Sequence, residues 1–194
     1  MRFLVVYCHP VPESFCAAVR DVVVEALRGK GHDVRLVDLH AEGFDPVMQA
    51  DERRTYNELA PQDPKLQPHI ENLRWAEGML LVYPTWWYGP PAMLKGWFDR
   101  VWAKDVTFTF DGTGRIKPIM EHITKIGIVT TCGAPHWWSL LIGQPGKKTI
   151  LRGLRANCAW LCKTMYLAHY VMDNSTPQTR AAFLEKVRRR VAAF

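Results

Sequence analysis
Short apolar runs alternate along this chain with longer segments in which apolar residues recur at every third or fourth position, as strands alternating with amphipathic helices require. Phe3–Cys8 and Met79–Tyr83 are unbroken apolar runs, so each reads as a strand buried on both faces of a sheet. Gly78 and Pro84 bound the second, and Pro84 is expected to end it. Asp33–Leu39 alternates polar and apolar residues and suits a more exposed or edge strand. Lys125–Thr131 and Thr164–Met172 supply two more strands. Between them, Ser14 is a good cap for a helix carrying Phe15, Val19, Val22, Val23, Ala26 and Leu27, which Gly29 and Gly31 stop. Leu66, Ile70 and Leu73 mark a second helix, and Leu94, Trp97, Phe98 and Val101 a third that starts near Pro91. A basic helix is predicted over about Lys147–Cys162 with Ile150, Leu151, Leu154 and Leu161 inward. Thr176 and Pro177 announce the last helix, with Leu184, Val187 and Val191 facing the core.

Five strands alternating with helices predict an α/β three-layer sandwich around a parallel sheet, with right-handed crossovers. The strand order 2-1-3-4-5 places side by side the three strands whose following loops have ligand-binding character, the first, third and fourth. Two segments break the rhythm. His40–Pro68, with its four prolines and the charged stretch Asp51–Arg54, reads as a long excursion holding one short helix near Asp51; loops of that length are functional or lie at interfaces. Asp105–Pro118 reads as a lid or a small hairpin.

Composition narrows the class. The 194 residues are 48% hydrophobic and 23% charged, which fits one globular domain over 1–194. The N-terminal apolar run is too short for a signal peptide, no run is long enough to span a membrane, and a cytoplasmic location is expected. Five scattered cysteines without a CxxC pair support neither a disulfide framework nor a metal site. Cys158 and Cys162, one helical turn apart, read as small buried hydrophobes on a helix face. The net charge of +6 collects in Lys147, Lys148, Arg152 and Arg155 and in Lys186, Arg188, Arg189 and Arg190. These look like solvated helix faces, and no nucleic-acid motif accompanies them.

The loops carry the chemistry. After the first strand, His9-Pro10-Val11-Pro12-Glu13-Ser14 leads into a helix N-terminus, where the Ser14 hydroxyl and the free amides of Phe15 and Cys16 would face an anion; the same residues equally suit a simple cap. After the third, Pro84-Thr85-Trp86-Trp87-Tyr88-Gly89-Pro90-Pro91 sets three large aromatics on a proline-stiffened loop, suited to a flat conjugated ligand or to an interface. After the fourth, Thr130-Thr131-Cys132-Gly133 offers hydroxyls and a close backbone approach, followed by Trp137 and Trp138. Cys132 has no evident base, which argues against a nucleophile.

The segment YPTWWYGPPAMLKGWFDRV, with His9, Ser14-Phe15 and Thr130-Thr131-x-Gly133, resembles the flavodoxin-like NAD(P)H:quinone oxidoreductases, and the resemblance runs over nearly the whole chain. It implies a flavodoxin-like fold and hydride transfer from NAD(P)H through FMN or FAD to a quinone-like acceptor, in a homodimer. By the same resemblance His9, Ser14, Phe15 and Cys16 would hold the flavin phosphate. Pro84, Thr85, Trp86, Trp87 and Tyr88 would meet the isoalloxazine edge, and Thr130, Thr131 and Gly133 its pyrimidine side. In one member of the family the fourth loop supplies a tyrosine and a histidine proposed to relay a proton; here Trp138 stands at the tyrosine position, in the acceptor pocket, and Gln144 or a neighbour replaces the histidine. Cys132 stands where glycine is common and would crowd the flavin edge. Lys147, Lys148 and Arg152 would approach a pyrophosphate if the cofactor is FAD. The alternative is a non-enzymatic flavoprotein, either an electron carrier or the regulatory subunit of a membrane transporter.

Overall fold
Parallel pairing of the five apolar runs organises the molecule. The computed structural model describes residues 1–194. In chain order its elements are β1 (Arg2–Tyr7), α1 (Phe15–Arg28), β2 (Asp33–Asp38), α2 (Ala50–Thr55), α3 (Gln67–Trp75), β3 (Gly78–Thr85), α4 (Ala92–Val101), β4 (Phe108–Phe110), β5 (Ile116–Pro118), β6 (Lys125–Cys132), α5 (His136–Leu141), α6 (Pro145–Lys148), β7 (Lys163–His169) and α7 (Pro177–Ala192). The main sheet runs β2-β1-β3-β6-β7, all parallel, and β4 pairs with β5 in a separate antiparallel hairpin. With the hairpin set aside this is the order 2-1-3-4-5, with alternating Asp33–Asp38 at one edge.

Period-two alternation sends each strand's side chains into two cores. Phe3, Val5, Tyr7, Leu80 and Val82 pack against α1 and α7, while Leu4, Val6, Met79, Leu81 and Tyr83 pack against α3 and α4. Ser14 caps α1, its Oγ accepting from the Ala17 amide at 3.2 Å, and Thr176 caps α7 in the same way through the Thr179 amide.

Three expectations are corrected. Pro84 does not end its strand: β3 continues to Thr85, with Pro84 opposite Thr131. The Val82 carbonyl accepts from Cys8, so Val82 faces β1, and alternation turns the Pro84 nitrogen to the same side, where β1 has already ended. A missing N–H costs nothing there. The basic helix is also much shorter than predicted. It passes from α6 into a π turn at Thr149–Gly153 and a 3₁₀ turn at Leu154–Asn157, and Cys158 is extended. Backbone bonds to the segment before β6 compete with further helix: Met120 N–H donates to Asn157, and Ala159 N–H to Ile123. Ile150 is buried as expected, but Leu161 points outward, and Cys158 and Cys162 are buried without sharing a helix face. The strand predicted to reach Met172 stops at His169, and left-handed Val171 turns the chain.

The long excursion is tied down by one guanidinium. Arg100 of α4 is 5% exposed; its Nε donates to both Glu52 oxygens at 3.1 Å, Nη2 to Asp63 at 2.8 Å and Nη1 to the Asp45 carbonyl at 2.6 Å. Gly96, one turn earlier, lets the excursion pass close by, since a Cβ there would lie 2.3 Å from the Pro46 oxygen. Replacing Arg100 with Met strands the Glu52 and Asp63 carboxylates. We expect a loss of about 3 kcal/mol in urea unfolding at neutral pH, the low end for a broken buried pair because Asp63 keeps solvent contact. Arg100→Lys should recover only part of it, since an ammonium cannot reproduce the fork.

Candidate functional site
Because β1, β3 and β6 are neighbours, the loops at their carboxyl ends share one rim. On the first, the Val11 amide donates to His9 Nδ1 at 3.0 Å. The ring proton then sits on Nε2 as a donor, and burial holds the His9 pKa below its ordinary value. The amides of Phe15 and Cys16 open α1 without an intrahelical acceptor. Ser14 Oγ is already engaged by the Ala17 amide and lies 3.4 Å from Tyr7 Oη. The Cys16 thiol is pushed up to about 12 by burial, and the Phe15 ring packs edge-on against His169 at 5.4 Å.

The second loop is strained. Trp86 and Gly89 exchange backbone hydrogen bonds of 3.1 and 3.0 Å around Trp87 at φ 47° and Tyr88 at φ 64°. Left-handed backbone at both central positions is the geometry of a type I′ turn, normally built from Asn and Gly, and two aromatic residues there cost about 1–2 kcal/mol each. External bonds hold it. Gly146 N–H donates to the Tyr88 carbonyl at 3.1 Å, and Trp138 Nε1–H to Tyr88 Oη at 2.8 Å. A Cβ on Gly146 would stand 3.0 Å from the Gly89 Cα, a tight contact that favours glycine at this approach. The result directs the Trp87 side chain outward, 95% exposed.

On the third loop, Thr130 Oγ donates to the Thr131 carbonyl at 3.2 Å, and so accepts from Thr85 Oγ at 2.8 Å. Thr130 is thus spent inside the sheet. Cys132 is buried with its Sγ 3.7 Å from Ser139 Oγ, and that hydroxyl is no base.

Two connected cavities of ≈ 420 and ≈ 430 Å³ lie on this rim. The first is lined by His9, Pro84, Thr85, Trp86, Trp87, Thr131, Cys132, Gly133, Met172 and Asp173. The second shares Thr85, Trp87, Cys132, Gly133 and Asp173 and adds Tyr88 and Ala134. Ser14, Phe15, Cys16 and Thr130 do not line either cavity; Trp138 reaches the site through its bond to Tyr88. Met172 and Asp173 had no sequence signal, because the strand that seemed to run through Met172 stops three residues earlier. Of the basic cluster, Lys147 is turned away from the phosphate end. Lys147 Nζ donates to Gln144 Oε1 at 3.3 Å and lies 4.8 Å from the Tyr166 ring, on the α3/α4 face, whereas Ser14 heads α1 on the other.

The Flavodoxin_2 model, described as a flavodoxin-like fold, matches residues 1–194. The chain belongs to that family. Among members similar to it, NAD(P)H dehydrogenase (quinone) 1 of Rattus norvegicus is 28% identical over 209 residues, covering 98% of this chain and 76% of the relative. The crystal structure of Smu.1420 from Streptococcus mutans UA159 superposes with a TM-score of 0.86 over 100% of both chains at 27% identity. The NAD(P)H:quinone oxidoreductase from Methanothermobacter marburgensis does so at 0.81 over 99% of this chain and 96% of its own; at 21% identity that likeness is one of fold.

The turn strain is measurable. Because Trp87 has almost no packing to lose, Trp87→Gly in this Flavodoxin_2 chain should raise the unfolding free energy of the ligand-free protein by about 1 kcal/mol in urea titration. An unchanged or lowered stability would mean that the left-handed backbone is not strained.

Proposed function
We propose that the chain is a flavin-dependent NAD(P)H oxidoreductase that reduces quinones or related aromatic acceptors by two-electron transfer. One observation carries the reading: a rim cavity with indoles along its wall and a histidine on its lining shares the sheet's carboxyl edge with the unpaired amides of a helix N-terminus. A flat ring system joined to a phosphate is the ligand whose parts match those surfaces. The names of the rat and Methanothermobacter relatives agree with it. When bound, the flavin supplies hydride acceptance and two-electron delivery.

The chain's own residues then divide the work. The Phe15 and Cys16 amides and His9 Nε2–H bind the phosphate. Thr131 and Gly133 bring backbone to the ring's pyrimidine side, and Trp86, Trp87 and Tyr88 wall the ring and exclude water. Trp138 fixes Tyr88 from the acceptor side. Neither Trp138 nor Gln144 titrates, so the protein contributes orientation and electrostatics, and donor and acceptor use the same aromatic mouth in turn. FAD is the better fit than FMN. A cavity of ≈ 340 Å³ lined by His169, Asn174, Ser175, Thr179, Phe183 and Lys186 adjoins the Phe15 ring, and offers room and donors for an adenylate beyond the phosphate. Exposed Trp86, Trp87, Trp137, Leu140 and Leu141 around the mouth, more apolar surface than one ligand covers, support a homodimer.

Purified protein should carry or take up a flavin and oxidise NAD(P)H with menadione in ping-pong kinetics. Protein that stays colourless with added flavin removes the proposal; bound flavin without sustained turnover converts it to the carrier or regulator reading. Flavin released by heat should chromatograph as FAD, and FMN alone would overturn that part only. Light scattering that gives the mass of one chain at micromolar concentration would overturn the dimer.

A further inference from the structure
The end of the molecule opposite the cofactor rim has its own apolar tip. In a parallel sheet the rim lies where strands end, and the turn before β7 lies where they begin. That turn presents Trp160, 91% exposed, and Leu161, 82% exposed. Their exposure is built in. Cys158 and Cys162 anchor the turn in the core, Cys162 N–H closes it on the Ala159 carbonyl at 2.9 Å, and Arg155 donates to the carbonyls of Cys162 at 2.9 Å and Trp160 at 3.3 Å. The Met120 amide bond to Asn157 places the β4–β5 hairpin alongside, with Ile116 and Ile119 also exposed.

Cations outnumber acids around the tip. Arg115 and Lys117 of the hairpin, Arg152 and Arg155 of the crossover and Lys163 of β7 form no ion pair, against Asp111 at the hairpin turn and Glu121 in the adjoining turn. We propose that this end docks on anionic lipid membranes, with the Trp160–Leu161 tip seated among the headgroups and the basic collar on their phosphates. An indole and a leucine at the tip of a rigid turn, collared by cations, match the interface between acyl chains and anionic headgroups. A second copy fits worse, because a two-fold contact would set the collar against itself. This surface does not depend on the flavin reading.

The experiment is co-sedimentation of the full-length protein with vesicles of phosphatidylcholine alone and of an equal mixture with phosphatidylglycerol. Binding is expected to the anionic vesicles, to weaken as salt rises, and to be much lower on phosphatidylcholine. The double variant Trp160→Ser, Leu161→Ser should lose at least about tenfold in partitioning. Arg152→Gln and Lys163→Gln should each lose about fivefold, on anionic vesicles only. All three should keep the wild-type unfolding midpoint, since the altered side chains are exposed. Absence of binding to anionic vesicles overturns the proposal, as does binding that the double variant leaves intact. A double variant that changes the mass in light scattering reassigns the tip to a contact between chains, and overturns it too.

Discussion

Two successive aromatic residues with left-handed backbone, Trp87 and Tyr88, are the constraint on which the rim depends. Neither side chain supplies the local hydrogen bond that lets Asn or Asp occupy that region, so the turn persists only because its surroundings over-determine it. The Tyr88 carbonyl is held by the Gly146 amide and its hydroxyl by Trp138. Those partners sit on the crossover after β6, so the loops of two neighbouring strands act as one unit. A displacement of α5 or α6 would release Tyr88 and with it the direction of Trp87.

The same logic explains why side chains with obvious chemistry are withdrawn from it. The hydroxyl of Thr130 closes a bond between β3 and β6, the thiol of Cys16 is buried neutral at a helix start, and Ser14 is used as a cap. What remains facing the cavities is backbone, indole, one oriented imidazole and the polar side chains of Tyr88, Thr85, Thr131, Cys132 and Asp173. At the excursion Arg100 supplies several bonds from one point to a segment whose own regular structure is limited to short helical pieces.

Much of this was legible in the sequence. Continuous apolar runs mark central strands because both faces are covered, and the alternating run marks the edge; the three ligand-bearing loops follow from strand order. His9, Trp86, Trp87 and Gly133 could be named because their neighbours in sequence are also their neighbours in space. The failures share a cause. Pro84 was read by its local preference, but what decides is which side its nitrogen faces, and that is a property of β1's length. Leu161 was assigned inward by a helical period that backbone bonds to Met120 and Ile123 interrupt at Cys158. Asp173 entered the cavity lining because β7 stops early, which no residue in its own stretch announces.

The corner where the relay was expected shows how the substitution is absorbed. The Trp138 N–H is given to Tyr88 and the Gln144 amide to Tyr170, while Lys147 donates back to Gln144. Burial raises the pKa of Tyr166 and Tyr170, so neither phenol changes charge near neutrality. Indole and amide donate hydrogen bonds here but do not change charge near neutrality. The polar groups at this corner therefore form a static network that fixes the aromatic wall, with the Lys147 ammonium set against Tyr166 beneath it. A network arranged this way contributes through position and through a steady local field, not through proton transfer by its phenols, indole and amide.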